Sequence, residues 1–122
     1  MLNLPYPISQ NRYWRVRVIK GLAITYVSAE AKAYKQEAAW KAKAAGIRVA
    51  LGDVAMAVVL HPKKNKDGSA SKTRLDLDNC IKVLFDALNG VAYSDDKQIV
   101  RIGAEIGDPI VGGGVSVKVV LI

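Results

Sequence analysis

Four aspartates in two short segments are the residues of this chain best suited to chemistry. Asp76 and Asp78 lie in the sequence Asp-Leu-Asp-Asn, and Asp95-Asp96 follow in a Ser-Asp-Asp-Lys segment. Residues two apart do not face each other inside a regular helix, but at a helix start both carboxylates can converge in front of the leading amides. Mg²⁺ prefers oxygen ligands and often uses only a few carboxylates together with a substrate phosphate. The pattern therefore predicts a metal site at Asp76, Asp78 and Asp96.

Each of these residues also has a purely structural interpretation, because aspartate is a favoured capping and turn residue. Capping would explain one carboxylate at a helix start, but two carboxylates followed by Asn79 exceed what it requires. Lys82 lies one helical turn after Asp78, where it forms either an i, i+4 salt bridge or a contact to a reacting phosphate. His61 lacks a partner histidine and Cys80 lacks zinc-ligand spacing, so a zinc site is not expected and Cys80 is predicted to be a packing residue.

The charge of the chain changes sign along its length. The formal net charge is +7, with lysine and arginine concentrated in residues 1–50 and 61–74 and an acidic excess in residues 75–108. A basic surface attracts a polyanion, whereas an acidic patch within it repels one unless cations neutralise the patch. The distribution favours a nucleic acid as partner and a metal ion at the acidic segment.

Length and composition predict one domain, residues 1–122, because 51% of the residues are apolar and 24% are charged. No apolar run approaches the length of a membrane span. A single cysteine cannot form an internal disulfide, so a reducing cytoplasm is the expected location.

The periodicity of apolar residues predicts an α+β, two-layer domain with two main helices packed on a mixed β-sheet, in the order ββαβαββ. Residues 1–12 are predicted to form an extended arm or loop, and residues 63–74 a mobile solvated loop. Gly112 to Gly114 is predicted to bend a hairpin between the last two strands. The predicted regular elements are a hairpin over 13–27 with its turn at Lys20-Gly21, helices over 28–45, with Ser28 as N-cap, and 76–89, and strands over 54–60, 98–106 and 115–122.

Three segments resemble the RusA family of Holliday-junction resolvases. The strongest is RLDLDNCIKVLFDALNGVAYSDDKQI, Arg74 to Ile99, which is similar to the family's Asp-x-Asp-Asn, Lys, Phe-Asp-Ala-Leu and Asp-Asp arrangement. The second is PYPISQNRYWR, Pro5 to Arg15, and the third is Val27 to Glu30 together with Tyr34. These segments span most of the chain in the order expected for the family.

The resemblance implies a homodimer that binds four-way junction DNA and nicks two opposed strands symmetrically with Mg²⁺, for which Mn²⁺ is a plausible substitute. It implies that Asp76, Asp78 and Asp96 bind the metal and that Lys82 is catalytic. It implies no small-molecule cofactor, no membrane, and a cytoplasmic, nucleoid-associated protein of bacterial or phage origin. The residues that correspond to DNA contacts are Ser9, Gln10, Asn11, Arg12, Lys72, Thr73, Arg74 and Asn79.

The chain departs from the family pattern at two places. Leu75 stands directly before the first aspartate, where the family commonly has a basic residue, and Gln10-Asn11 replaces paired asparagines. Three other functions stay open from the sequence: a non-catalytic DNA-binding module, another metal-dependent nuclease acting on flaps or single strands, and a metal-binding scaffold without a DNA role.

Overall fold

The helices and strands follow the local sequence patterns closely in the computed structural model, which describes residues 1–122. The α+β class and the order ββαβαββ are confirmed, and the segment predicted as an arm adds a short strand and a helical turn. A 3₁₀ turn, Asp96–Gln98, leads into the fifth strand. The elements are β1 Leu2–Leu4, α1 Gln10–Tyr13, β2 Trp14–Ile19, β3 Leu22–Val27, α2 Ala29–Ala44, β4 Val54–His61, α3 Leu77–Ala87, β5 Ile99–Ile106 and β6 Gly114–Leu121.

The main sheet has the strand order β1-β6-β4-β5, so β4 is central. Val58 of β4 lies opposite Ala104 of the parallel strand β5 and opposite Val117 of the antiparallel strand β6. The prediction that Gly112 to Gly114 bends a hairpin is therefore wrong. Because β4 connects to β5 through α3, β5 pairs in parallel, and the glycine-containing connection carries the chain to the other side of β4.

The core lies where α2 and α3 pack against this sheet. Every second residue of β4 is buried, and the buried residues of α2 recur at helical spacing and are mostly alanines, which allow close approach of the backbones. Cys80 is fully buried in α3, as predicted for a packing residue, and burial raises the pKa of its thiol to about 12. None of the helices has the length and apolar character needed to cross a membrane.

The hairpin β2–β3 forms a separate two-stranded sheet. Lys20 and Gly21, with φ of 51° and 78°, make its two-residue turn, which fits a type I′ hairpin. Only its base is packed: Trp14 and Val27 contact a small core cluster of Tyr13 from α1, Ala31 from α2 and Val83 from α3. The hairpin is therefore anchored where α1, α2 and α3 meet.

Candidate active site

The start of α3 presents two exposed carboxylates. Asp76 occupies the N-cap position with an extended backbone, yet its side chain accepts no capping hydrogen bond. Asp78 lies in the first turn, and both residues are exposed. Capping therefore does not account for the Asp76 side chain, and its carboxylate oxygens are free for another ligand. The partial positive charge of the helix N-terminus also favours negative charge at this position.

Asn79 joins the start of α3 to the turn that was predicted to contact DNA. Its side-chain Oδ1 accepts a hydrogen bond from the backbone N–H of Gln10 at 3.0 Å. Ser9 is the N-cap residue of this turn, and its carbonyl oxygen accepts from the N–H groups of Arg12 and Tyr13. The predicted DNA-contacting segment Ser9 to Arg12 thus rests directly against the helix that carries Asp76 and Asp78.

A second contact between these elements involves two residues that the sequence analysis did not single out. The Tyr13 hydroxyl donates a hydrogen bond to the Asp86 carboxylate, and Lys35 of α2 lies 3.9 Å from the same oxygen. Burial, and then the neighbouring Asp86, raise the pKa of Tyr13. The spacing of Asp78, Lys82 and Asp86, four residues apart, puts all three on one side of α3 and was the available signal for Asp86.

Lys82 makes neither an ion pair with Asp78 nor any other ion pair, so the salt-bridge interpretation is wrong. Its ammonium lies instead 5.6 Å from the centroid of the Trp14 ring. Trp14 comes from β2, so a residue distant in sequence displaces the helical neighbour as partner. Lys82 and Trp14 face an open groove of about 520 Å³ whose other lining residues are Gln10, Asn11 and Thr25.

The two aspartates of the later turn have different roles. Asp95 accepts a hydrogen bond from Lys97 N–H at 2.9 Å, and the Gln98 side chain accepts in return from Asp95 N–H at 3.1 Å, which completes a capping box. Asp95 therefore has the structural role that aspartate commonly has in turns. Asp96 is exposed, and its pKa is raised, first by slight desolvation of its carboxylate and then by its hydrogen bond with Asp95 and the charges of Asp95 and Asp86.

The chain alone does not gather Asp76, Asp78 and Asp96 into a three-ligand site. No three histidine, cysteine, aspartate or glutamate side chains lie in a group that could hold a metal ion. The carboxylates that act on Asp96 are those of Asp95 and Asp86. Asp76 and Asp78 nevertheless offer hard oxygen donors at an exposed position, and this donor set fits Mg²⁺ bound through two carboxylates, waters and a substrate phosphate.

Basic residues lie in the loop before α3 and in α1, which packs against α3. Lys72, Thr73 and Arg74 are exposed in the loop before α3, and this loop is attached to the N-terminal segment because Leu75 N–H donates to the Tyr6 hydroxyl at 2.7 Å. Arg12 is exposed but pairs with Glu30 of α2 at 2.6 Å. Lys72, Thr73 and Arg74 thus shortly precede Asp76 in the chain, and the Ser9 to Arg12 segment contacts α3 through the hydrogen bond from Gln10 to Asn79.

Comparison with known proteins identifies the family of this chain. The family model described as Endodeoxyribonuclease RusA matches residues 5–120. The chain is 34% identical over 114 residues to Crossover junction endodeoxyribonuclease RusA of Escherichia coli K12, and 32% identical over 114 residues to the protein of that name from Enterobacteria phage 82. Each alignment covers 93% of this chain and 86% of the relative. The match extends over nearly the whole chain, and the protein belongs to the RusA family of endodeoxyribonucleases.

Proposed function

We propose that this protein is a crossover junction endodeoxyribonuclease that resolves four-way Holliday junctions by paired symmetric nicks during recombination and repair, with Mg²⁺ as its metal. The observation that carries the proposal is the start of α3. The exposed carboxylates of Asp76 and Asp78 make no capping hydrogen bond there, and they lie near the Ser9 to Arg12 turn, which is suited to DNA contact. The names of the curated relatives support the reaction and its substrate. A basic chain with an acidic patch at that position also has the charge distribution that a metal-dependent nuclease needs.

The proposal gives each residue of the site a role that its position supports. Asp76 and Asp78 would hold the divalent ion, which when bound would polarise the phosphoryl oxygen and lower the pKa of a water nucleophile. Lys82 contacts the reacting phosphate and offsets the charge that develops there. The segments Ser9 to Arg12 and Lys72 to Arg74 hold neighbouring phosphates and fix the register of the strand. Asn79 affects DNA binding indirectly, because its hydrogen bond with Gln10 positions the turn that contacts DNA.

Asp96 belongs to the same site in this proposal and joins it when DNA is bound. Asp95 already serves the turn, so the second member of the pair is the one available to a ligand. Substitution of each residue by Asn gives a matched pair. The Asp96→Asn protein is expected to lose cleavage and to bind Mn²⁺ more weakly in the presence of junction DNA. The Asp95→Asn protein is expected to keep cleavage, since an asparagine oxygen can still cap the turn. Equal activity of both variants would remove Asp96 from the site.

Paired nicks require two equivalent sites, and a two-fold dimer supplies them. Apolar side chains on the surface support such an assembly. Val16, Val18 and Leu22 of the hairpin are 65%, 69% and 69% exposed, and Val100 and Ile102 of the edge strand β5 are 56% and 51% exposed. Exposed apolar side chains grouped on one element are typical of protein interfaces. Sedimentation equilibrium is expected to give twice the monomer mass.

The central experiment is a cleavage assay with Mg²⁺ on four-way, three-way and linear duplex DNA, with the cuts mapped to strand position. We expect cutting of the four-way junction at two symmetric positions. Asp76→Asn is expected to abolish cutting while junction binding persists, and Asp108→Asn, which changes an exposed aspartate outside the proposed ligand set, serves as the control. Undiminished cutting by Asp76→Asn would refute the assignment of this residue.

The alternative functions give different results in the same assay. A non-catalytic DNA-binding module never cuts, whatever the metal. A nuclease of flaps or single strands cuts the three-way substrate in preference to the four-way junction. A metal-binding scaffold binds DNA without the steep salt dependence that phosphate contacts produce.

A further inference from the structure

The groove between α1, the hairpin and α3 contains an aromatic residue with no assigned role. Trp14 is half-buried, and its ring packs against that of Tyr13 with centroids 4.4 Å apart and planes tilted by 59°. The Lys82 ammonium lies over the Trp14 ring. Two amide side chains, Gln10 and Asn11, line the same groove together with Thr25. The indole therefore lies at the boundary between the packed base of the hairpin and the open groove.

Trp14 is held firmly by its surroundings. Its backbone pairs with Val27 in the hairpin, and Tyr13 next to it is completely buried and hydrogen-bonded to Asp86. An aromatic ring held in this way can receive a planar ligand without losing much side-chain entropy on binding. The groove volume of about 520 Å³ lies within the range of small-molecule sites, roughly 300–1,000 Å³.

The side chains of the groove match the chemistry of a nucleotide. An indole stacks on any nucleobase because every base has a π-face. Asparagine and glutamine amides can donate to and accept from base edges or phosphates. The Lys82 ammonium can also donate a charge-assisted hydrogen bond to a phosphate, and such a bond is stronger than a hydrogen bond between neutral groups. No acidic side chain lines the groove, so an anionic ligand meets no like charge from its walls.

We propose that this groove is a nucleotide-binding subsite in which Trp14 stacks on a nucleobase at the branch point, while Lys82 leaves the indole for the adjacent phosphate. The proposal rests on the proposed function in that the ligand is branched DNA. Removing a base from a continuous duplex costs a few kcal/mol, and the cost is least where pairing is already interrupted. The subsite thus favours a strand crossing over an uninterrupted helix.

The two tryptophans of the chain permit a direct test by fluorescence. Trp40 is 70% exposed on α2, away from the groove. In the Trp40→Phe protein the emission comes from Trp14, and in the Trp14→Phe protein it comes from Trp40. Each protein is titrated with a four-way junction without divalent ions, and saturation is established separately by gel shift. We expect quenching of Trp14 by the junction, little quenching by linear duplex, and no change at Trp40. Unchanged Trp14 emission at saturation, or equal quenching by duplex, overturns the proposal.

Binding measurements give a second, independent readout. Trp14→Leu is expected to raise the Kd for the junction by roughly 5- to 150-fold, the change that corresponds to one stacked base. The Kd for linear duplex is expected to change by no more than about two-fold, since its bases stay stacked in the helix. Trp14→Phe retains a π-face and is expected to restore most of the affinity, and Trp40→Leu is the matched control. Equal losses for junction and duplex overturn the proposal.

These tests are separate from those of the nuclease mechanism. If the protein never cleaves, junction binding and Trp14 quenching without metal still report on the subsite. If it cleaves normally but Trp14 is not quenched, the subsite is wrong and the nuclease assignment stands. Should Trp14→Leu fail to show a cooperative thermal transition, the titration of Trp40→Phe decides the question alone.

Discussion

The contact between Asn79 and Gln10 leads to a prediction that separates two roles for Asn79. Replacing Asn79 with Ala removes the oxygen that accepts the Gln10 N–H at 3.0 Å. An unsatisfied backbone donor at a partly buried position costs about 1–2 kcal/mol. Alanine recovers part of this, about 0.6 kcal/mol, through its higher helix propensity. The net loss expected in the free energy of unfolding is therefore about 0.4–1.4 kcal/mol.

The matched variant Asn79→Asp keeps a side-chain oxygen at the same place. It also adds a negative charge in the first turn of α3, which the helix dipole favours. We expect its stability to equal or exceed that of the wild type. Its affinity for junction DNA is expected to fall, because the new charge lies beside the bound phosphates.

Urea unfolding and amide hydrogen exchange measure the two effects. In Asn79→Ala the Gln10 amide is expected to exchange about tenfold faster for each 1.4 kcal/mol of protection lost, whereas in Asn79→Asp its protection persists. If Asn79 instead contacts DNA directly, Asn79→Ala weakens junction binding and leaves both unfolding and Gln10 exchange as in the wild type. That outcome would refute the positioning role.

Three further predictions concern other contacts of the same region. Tyr13→Phe removes the hydrogen bond to Asp86 and is expected to lower the free energy of unfolding by about 1–2 kcal/mol in urea melts, and an unchanged midpoint would contradict the link. Cys80 has a buried thiol with a pKa of about 12 and is expected to react with a thiol reagent at pH 8 only when the protein unfolds. Because the raised pKa favours the protonated thiol in the folded state, the contribution of Cys80 to stability is lost as pH rises from about 9 towards 12. Glu30→Gln releases Arg12 from its ion pair and is expected to tighten junction binding and steepen the slope of log K against log salt by up to about 0.9, a change that should be absent when Arg12 is also replaced.

Local signals predicted the elements of this fold well. Ser28 caps α2 by accepting from Ala31 N–H at 3.1 Å, as its residue type and position indicated. The Lys20-Gly21 turn and the alternation around it fixed the hairpin, and helical spacing fixed α3. Each of these signals lies within a few residues of the feature that it determines, so the sequence contains it directly.

Contacts between distant segments could not be predicted in the same way. The side of β4 on which β6 pairs depends on the strand pairing of the whole sheet. The connection that contains Gly112 to Gly114 permits either a hairpin with β5 or a path to the other side of β4. Lys82 had an oppositely charged neighbour four residues away, but its ammonium lies over an indole 68 residues earlier in the chain. The capping roles of Asp76 and Asp95 looked alike from the sequence. The backbone and its neighbours decide that Asp95 caps its turn and that Asp76 remains free.

The geometry of α3 explains why DNA binding and cleavage can be coupled in so small a chain. Asn79 and Asp86 are seven residues apart, a rise of about 10 Å along the helix, and both hold the segment that begins with Ser9. Asp78 and Lys82 belong to the same turns of the same helix. A strand held, as proposed, by the Ser9 to Arg12 segment would therefore be fixed relative to the carboxylates and the ammonium by one rigid element. Because a misplacement of about 1 Å can reduce a rate 10²-fold, loosening either contact should reduce cleavage more than it reduces binding.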